Sequence, residues 1–376
     1  MEVGLIIQGN QLWDFLERMP EVMRIRKTSW CMRSVGLWVL AAVWVLATAG
    51  CGPERAEFPN ASEKPLAWPE LPDQPRIVYL GAVSTERDMQ KQHSLFDGLG
   101  ELLFGAQPVG VLVCPYAVAV DGTGVMYVAD SSGAVVHAFD LRTRNYHQFS
   151  SLDAGTKLQK PVALVTLADR IYVVDSMLRQ VCVFKRNGEF LFSFGQGQLE
   201  RPAGIACRRT EGMIYVADAG RHVICVFGYK GDPIRQIGSR GIGPGQFNFP
   251  TQLHIDDSGQ LYVSDTLNYR IQVFGPDDRF LKMFGQQGDR PGNFAHPAGI
   301  ATDSAGNVYV TDRQFENVQV FNPEGQILMA FGQEGSEPGQ FWLPAGIFID
   351  GHDRVYVADS FNKRVQIFEL LKGTIK

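Results

Sequence analysis

A short string recurs six times along this chain of 376 residues. It reads tyrosine, valine, any residue and aspartate, and its aspartates are Asp130, Asp175, Asp218, Asp265, Asp312 and Asp359. Successive aspartates are separated by 45, 43, 47, 47 and 47 residues. A near-constant period of this length is typical of repeat proteins, in which each repeat packs mainly against its neighbours.

Each period contains four short segments in which apolar and polar residues alternate, as β-strands require. In the fifth period these segments are residues 297–303, 307–311, 318–321 and 326–331, and residues 303–306 form a turn. A proline begins the first segment of every period: Pro115, Pro161, Pro202, Pro250, Pro297 and Pro344. Four strands per period predict an all-β fold, a six-bladed β-propeller of four-stranded antiparallel blades around a channel.

The ends of the repeat region predict how the ring closes. The sixth period stops at residues 368–371 without a fourth strand, whereas residues 76–81 resemble the fourth strand at 280–285. We therefore predict that the N-terminal strand completes the last blade, so that the propeller spans residues 76–371 and has no open edge.

An insertion at residues 94–104 carries apolar residues at helical spacing. It predicts a short helix that covers one mouth of the ring or, alternatively, docks a partner.

Three motifs in the periods resemble the NHL repeat. They are Pro-x-Gly-Ile-Ala-x-Asp, Val-Tyr-Val-Ala-Asp and Asn-x-Arg-Ile-Gln-Val-Phe, and residues 250–274 and 344–368 carry the resemblance most strongly. The first two periods depart from it, since Gly133 and Val135 in the first, and Leu178 and Gln180 in the second, stand where the family usually has asparagine and arginine. The resemblance covers nearly the whole predicted propeller and implies the same fold.

In propellers, the loop before the innermost strand and the loop between the second and third strands lie on one face, where ligands bind. In this chain those loops carry aromatic, arginine and histidine side chains, and also Glu316. Aromatic and arginine side chains anchor many protein interfaces. The candidate binding residues are Tyr116, Arg179, Arg221, His222, Tyr269, Arg270, His296, Arg313, Phe315, Trp342, Phe361 and Lys363. We interpret the chain as a non-enzymatic binding module for a protein, a peptide or a glycan.

The alternative is an enzyme, because the resemblance extends to propeller lyases and lactonases that hold zinc or calcium at the channel. Calcium takes six to eight oxygen ligands, and at the starts of the inner strands only Thr251 and Gln252 supply side-chain oxygens. A catalytic zinc takes three protein ligands, and His254 and His296 are too few. We therefore expect no metal, no cofactor and no catalytic residue.

The repeated aspartates and the cysteines have structural interpretations. Six equivalent aspartates at six equivalent turns indicate one structural role, the acceptance of backbone N–H groups in the turn. Four further aspartates are followed three residues later by Gly or Asp and predict hairpin turns: Asp121, Asp256, Asp303 and Asp350. The cysteines of the repeat region are expected to be free thiols: Cys114, Cys182, Cys207 and Cys225.

The first 51 residues are predicted to be a bacterial signal peptide. An apolar run at residues 35–49 follows four basic residues, and it is shorter than the roughly 20 residues of a membrane span. Residues 46–51, Leu-Ala-Thr-Ala-Gly-Cys, resemble a lipobox, which implies cleavage before Cys51 and a lipid on its thiol. Plain secretion and an uncleaved anchor helix are the alternatives. Translation is expected to start at Met23, because the residues before it carry four acidic side chains.

Residues 52–75 contain six prolines, which favour an extended, semi-rigid tether. The protein is thus expected to be exported and lipid-anchored to a bacterial membrane. Residues 1–51 contain five basic and four acidic residues, so the remainder has 30 basic and 36 acidic residues and a net charge of −6. Proteins bind nucleic acids by neutralising phosphates with basic side chains, so we expect no nucleic-acid partner.

We predict that labelled palmitate enters the wild-type protein and not a Cys51→Ser variant. Serine has no thiol to carry the diacylglyceryl group that the lipobox-like segment implies. Fluorography of membranes from cells fed radiolabelled palmitate measures this. Equal labelling of the two proteins would contradict lipidation at Cys51.

Overall fold

Strands dominate the structure, a computed structural model that describes residues 66–70, 72–89 and 110–371. These residues belong to one compact unit, Ala56–Lys376, whereas the unit Met1–Arg55 lies outside the described residues. Cys51, most of the predicted tether and the helix predicted at residues 94–104 also lie outside them. Within the described ranges, the helical elements are single 3-10 turns, and no helix is long and apolar enough to cross a membrane.

The described residues contain 25 strands, numbered in chain order. The first two are β1 (Ala67–Trp68) and β2 (Ile77–Val83). Blade 1 has β3 (Pro115–Val120), β4 (Val125–Asp130), β5 (Val135–Asp140) and β6 (Tyr146–Phe149). Blade 2 has β7 (Pro161–Leu167), β8 (Arg170–Asp175), β9 (Gln180–Lys185) and β10 (Phe190–Phe194). Blade 3 has β11 (Pro202–Arg208), β12 (Met213–Asp218), β13 (Val223–Gly228) and β14 (Pro233–Ile237). Blade 4 has β15 (Pro250–Ile255), β16 (Leu261–Asp265), β17 (Arg270–Phe274) and β18 (Phe280–Phe284). Blade 5 has β19 (Pro297–Thr302), β20 (Val308–Asp312), β21 (Asn317–Phe321) and β22 (Ile327–Phe331). Blade 6 has β23 (Pro344–Ile349), β24 (Arg354–Asp359) and β25 (Arg364–Leu370).

Each blade is an antiparallel meander whose strands pair in chain order from the inner strand outwards. The inner strands, β3, β7, β11, β15, β19 and β23, contact one another in sequence around the ring, and β23 contacts β3. In blade 5 the strand boundaries differ from the predicted ones by no more than one residue. The predicted six-bladed, all-β propeller is confirmed.

Strand β2 completes the sixth blade, as predicted. It pairs with β25 in antiparallel orientation, with Tyr79 opposite Phe368, so that β25 has no free edge. Strand β1 adds a short fifth strand, because Trp68 pairs with Ile77. The Trp68 ring centre lies 5.9 Å from that of Phe331 and 5.8 Å from that of Phe368. Part of the segment predicted as a tether therefore packs on the propeller.

The predicted hairpin turns between first and second strands are present. The Asp303 Oδ1 atom accepts the backbone N–H groups of Ala305 and Asn307, both at 2.9 Å. Its Oδ2 atom accepts the Tyr309 hydroxyl at 3.1 Å. Gly306 closes the turn with φ of 82°, a conformation that glycine adopts without strain. The same aspartate–tyrosine contact recurs in three other blades, at Asp121–Tyr127, Asp256–Tyr262 and Asp350–Tyr356.

Apolar side chains fill the space between neighbouring blades. Between blades 5 and 6, for example, buried Tyr309 and Val320 share one cluster with Val355, Val357 and Phe368. Burial of one such side chain stabilises the folded state by about 1.5–3 kcal/mol. Because Tyr309 and Val357 belong to the repeated string itself, the residues that define the period also join each blade to the next.

The cysteines of the repeat region are free, as predicted. Cys182 and Cys225 occupy the strand position that Gln272, Gln319 and Gln366 hold in blades 4 to 6. Burial raises the pKa of Cys182 to about 12 and that of Cys225 to about 11. The thiolate is the nucleophilic form of cysteine, so these two side chains are inert at neutral pH.

The aspartate that ends each second strand is buried and joins two loops. Asp312 accepts the backbone N–H groups of Ala295 and His296, which precede the inner strand, at 2.8 and 3.0 Å. It also accepts the N–H groups of Gln314 and Phe315, in the loop that follows it, at 3.0 and 3.1 Å. The predicted structural role is confirmed, and it extends to the loop before the inner strand.

Glycine two residues after the proline allows neighbouring inner strands to approach closely. A Cβ atom on Gly299 would lie 2.4 Å from the carbonyl oxygen of Ala345, and one on Gly346 would lie 2.8 Å from that of Tyr116. No side chain fits at these distances. The Pro-x-Gly start of the repeat therefore keeps the inner strands in backbone contact at the end of the channel where they begin.

We predict that Asp312→Ala lowers the free energy of unfolding by about 3 kcal/mol, because it leaves four backbone donors in and around a buried site without an acceptor. Chemical denaturation of the purified variant measures the loss. The control is Asp257→Ala, on an exposed hairpin turn, where the change should stay within about 0.5 kcal/mol. Similar stability of the two variants would contradict the structural role of the repeated aspartate.

Candidate functional site

The central channel, as far as the described residues define it, is a cavity of about 1090 Å³. The inner strands line it, and each is the end strand of its sheet, so its unpaired backbone edge faces the cavity. The cavity extends to the turns between first and second strands, including residues 121–124, 303–306 and 350–353. We call this end of the propeller the hairpin face.

The opposite end is the loop face, made of the loops before the inner-strand prolines and the loops between second and third strands. Tyr116 and Thr251, at the starts of inner strands, do not line the cavity. The Arg313 guanidinium carbon lies 5.3 Å from the centre of the Tyr116 ring, although blade 6 separates their two blades. Tyr116 also packs against buried residues of blades 2 and 3. This cation–π contact links blades 5 and 1 on the loop-face side of the channel.

Four candidate binding residues share one backbone position, the fourth residue after a repeated aspartate. They are Arg179, His222, Tyr269 and Lys363, with φ between 56° and 59°. In blade 5 the same position holds Glu316, with φ of 53°. A side chain here reaches the loop before the next inner strand, since His222 Nδ1 accepts the Phe249 N–H group at 3.1 Å.

The remaining polar candidates differ in how many hydrogen bonds they make within the protein. Arg270 is buried, and its guanidinium donates to Asp265 and to carbonyl oxygens of the preceding loop. Arg221 donates to the Gln198 carbonyl oxygen at 2.7 Å. His296 Nδ1 is buried and has no hydrogen-bond partner in the described ranges. Burial and the neighbouring Arg313 lower the pKa of His296, so that its ring is neutral at neutral pH.

Trp342 and Phe361 form an exposed aromatic pair on blade 6. Their side chains are 50% and 49% exposed, and their ring centres are 5.5 Å apart. The Phe361 N–H group donates to the Trp342 carbonyl oxygen at 3.1 Å, which joins the two loops. Phe315, in blade 5, is half-buried, whereas Arg179 and Arg221 lie on blades 2 and 3. The candidates are therefore spread around the ring, and the structure brings Trp342 into contact with Phe361 and Arg313 into contact with Tyr116.

Sequence reasoning missed several apolar side chains on the loop face. They are Val111, Val113, Met177, Ile242 and Leu267, all well exposed. With Trp342 and Phe361 they are seven of the twelve large apolar side chains that are exposed in the described part of the chain. A signal exists for two of them, because Met177 and Leu267 stand two residues after a repeated aspartate, at the position that Phe361 holds in blade 6.

Glu316 lies between blades 5 and 6 with one carboxylate oxygen unpaired. The residue is 9% exposed, and its Oε1 atom accepts the Leu343 N–H group at 3.4 Å. Its Oε2 atom is buried and has no hydrogen-bond partner among the described residues. Burial raises the pKa of Glu316 above its ordinary value, and the carboxylates of Glu334 and Asp359 raise it further, against the Leu343 N–H group.

His254 is a half-buried titratable residue of the channel wall. It lies on β15, and its Nε2 atom is 2.8 Å from the Thr302 hydroxyl of blade 5. Enclosure lowers the pKa of His254 to about 4, although Asp256 and Asp257 act in the opposite direction. The described residues contain no group of three or more histidine, cysteine, aspartate or glutamate side chains that could hold a metal ion.

The repeat itself matches a known family model. The model of the NHL repeat matches residues 247–274 and 294–321, which run from the loop before the inner strand to the end of the third strand in blades 4 and 5. The chain contains NHL repeats and folds as a six-bladed β-propeller. The family resemblance predicted from the sequence is thereby confirmed. Among curated proteins, no sequence matches the chain.

Solved structures share the fold of this NHL propeller at low sequence identity. An auxiliary nutrient binding protein from Bacteroides ovatus is 14% identical with a TM-score of 0.55, over 70% of this chain and 71% of that one. Virginiamycin B lyase from Staphylococcus aureus is 14% identical with a TM-score of 0.51, over 69% of this chain and 96% of that one. A Bacteroides thetaiotaomicron protein of unknown function is 18% identical with a TM-score of 0.56, over 70% of each chain. At these identities the similarity concerns the fold alone.

We predict that acid destabilises the wild type more than a His254→Gln variant. Because the pKa of His254 is about 4 in the folded protein and 6.5 ordinarily, the unfolded chain takes up a proton first. The stability contributed by the neutral ring is therefore complete above pH 6.5 and is lost as the pH falls towards 4.

At about 1.4 kcal/mol per pKa unit, the difference between the two proteins reaches at most about 3 kcal/mol. Urea unfolding of both proteins between pH 7.5 and 4.5 measures it. His352→Gln, on an exposed hairpin turn, is the control and should follow the wild type. Parallel pH profiles for the wild type and His254→Gln would contradict the prediction.

Proposed function

We propose that this NHL propeller is a non-enzymatic binding module that holds a protein, peptide or glycan on its loop face. The observation that carries the proposal is that seven of the twelve exposed large apolar side chains of the described residues lie on that face, among them the Trp342–Phe361 pair in mutual contact. Exposed apolar surface is unfavourable in water, and its accumulation on one face is typical of interaction sites in soluble proteins. Exposed aromatic rings are also the side chains that most often anchor a partner.

We further propose that the module is exported and attached to a bacterial membrane through a lipid on Cys51, with no nucleic-acid partner. The lipobox-like residues 46–51 and the prolines that follow support the attachment. The net charge of −6 after residue 51 speaks against phosphate binding. A lipid-anchored propeller of this kind would hold its ligand close to the membrane surface.

The alternative function is that of a lyase- or lactonase-like enzyme. His254 favours it, since a titratable group with a strongly shifted pKa in a cavity is a common feature of active sites. Against it, the His254 Nε2 atom lies at hydrogen-bond distance from the Thr302 hydroxyl, and the exposed Trp342–Phe361 pair does not line the cavity that His254 lines. We therefore favour binding over catalysis.

A photo-crosslinking experiment tests the binding function. A benzophenone amino acid replaces Phe361 or Met177 on the loop face, or the exposed His352 on the hairpin face, in cells that naturally produce the protein. We expect specific adducts from the two loop-face positions and none from position 352. Adducts from position 352 alone, or no adducts from either loop-face position, would refute the proposal.

A further inference from the structure

We propose that Glu316, Trp342 and Phe361 form a receptor for a lysine ammonium group of a protein or peptide partner. We call these three residues the ammonium site. The proposal rests on the proposed binding function of the loop face and specifies which partner chemistry that face recognises. It follows from the unpaired oxygen of Glu316, from the two exposed rings, and from the absence of a resident cation there in the described ranges.

The unpaired oxygen of Glu316 needs a donor. Buried carboxylate oxygens are normally hydrogen-bonded, and an unpaired one costs free energy. The Oε1 atom is held by the Leu343 N–H group, so the chain directs the carboxylate towards the loop before β23, one residue from Trp342. The Oε2 atom remains without a partner among the described residues. A donor from outside the chain would satisfy it once the side chains that cover this buried atom move aside.

The charges around Glu316 favour a cationic donor. The charged groups that act on the pKa of Glu316 are Glu334 and Asp359, and both are acidic, but the Asp359 carboxylate is already paired with Arg364 at 2.8 Å. The Glu334 carboxylate repels an anion and attracts a cation, and complementary charge across an interface helps to determine which partner is accepted. A cation would also offset the cost of burying the Glu316 carboxylate.

The aromatic pair offers the second half of the receptor. Trp342 and Phe361 are half exposed and tilted by 46° to each other, with ring centres 5.5 Å apart. A cation over the face of such a ring is attracted to it, most strongly over tryptophan. The alkyl part of a lysine side chain can pack on the rings while its ammonium group reaches the carboxylate.

Other aromatic rings of the loop face already carry a cation from the chain itself. The Arg201 guanidinium lies 4.7 Å from the Phe249 ring centre, and Arg313 lies over Tyr116. At the junction of blades 3 and 4, moreover, the position of Glu316 is held by His222, which bonds the Phe249 N–H group. No cation–π contact to Trp342 or Phe361 occurs in the described ranges. The junction of blades 5 and 6 therefore has two aromatic rings and the Glu316 carboxylate, but no cationic side chain lies over these rings in the described ranges.

The geometry favours ammonium over guanidinium. An arginine pairs most strongly with a carboxylate that offers both oxygens, through two parallel hydrogen bonds. At Glu316 one oxygen is already bound to the Leu343 N–H group, so only single-point contact is open. A lysine ammonium group, a compact charge with three donors, satisfies one oxygen fully.

A fluorine NMR titration of the full chain in mild detergent tests the proposal. Labelling with 5-fluorotryptophan reports on six tryptophans, and the resonance missing from Trp342→Phe identifies Trp342. The probes are Nα-acetyl-lysine amide, the corresponding arginine amide, and the norleucine amide, which keeps the alkyl chain and lacks the charge. We expect the lysine amide to shift the Trp342 resonance saturably, on the order of millimolar affinity, with the arginine amide weaker and the norleucine amide at least about tenfold weaker.

Two matched variants locate the effect. Glu316→Gln keeps an acceptor for the Leu343 N–H group and removes the charge, so it should weaken lysine amide binding about tenfold. Glu200→Gln removes an exposed charge from the same face, at the blade 3 position that corresponds to Trp342, and should bind like the wild type. Glu316→Gln should also melt no lower than the wild type at pH 7, because it removes a buried, unpaired carboxylate. A lower melting temperature would make Glu316 a structural residue and overturn the proposal.

The outcomes separate this proposal from the proposed function. Equal binding of the norleucine and lysine amides, or an unchanged affinity in Glu316→Gln, would overturn the ammonium site. If the benzophenone amino acid at position 361 still formed adducts in the crosslinking experiment, the binding function of the loop face would stand without the ammonium site. Loss of all loop-face adducts would instead remove the binding function on which the ammonium site rests.

Discussion

The structure depends on one repeated interaction, the acceptance of backbone N–H groups by a buried aspartate at the end of each second strand. In blade 5, Asp312 accepts N–H groups from the loop before the inner strand and from the loop after its own strand. In blades 4 and 6 the equivalent carboxylates also bind a buried or partly buried arginine, Arg270 or Arg364. Because these loops have no strand partners, the aspartates make the loop face rigid.

A rigid loop face can carry residues that reduce stability. Glu316 stands at a position defined by the repeat, with φ of 53° like its five equivalents, so its backbone does not depend on its side chain. The carboxylate is nevertheless buried with one oxygen unpaired. Residues that violate the rules of burial without an evident structural benefit are expected at functional sites, which is why we assign Glu316 to binding.

The two ends of the channel differ in width because the backbones of the inner strands approach one another more closely at the loop face. At the loop face, glycines such as Gly299 and Gly346 allow the inner strands to touch, and Arg313 lies over the Tyr116 ring. At the hairpin face the cavity is open as far as the turns around residues 303–306 and 350–353. A partner on the loop face and a small molecule in the channel would therefore meet different surfaces of the same propeller.

The sequence by itself determined the fold, the number of blades and the closure by β2. The alternation of apolar and polar residues within a strand and the length of the repeat are local properties, and they recur in every period. The sequence also identified Trp342 and Phe361 as candidates, since their loops follow from the repeat. Only the tertiary structure decided that Arg270 is buried, that Arg313 lies over Tyr116 two blades away, and that one oxygen of Glu316 has no partner among the described residues. These facts depend on contacts between segments that are distant along the chain, such as Glu316 with Leu343, and such contacts differ from blade to blade, so that the repeat pattern of a single sequence does not reveal them.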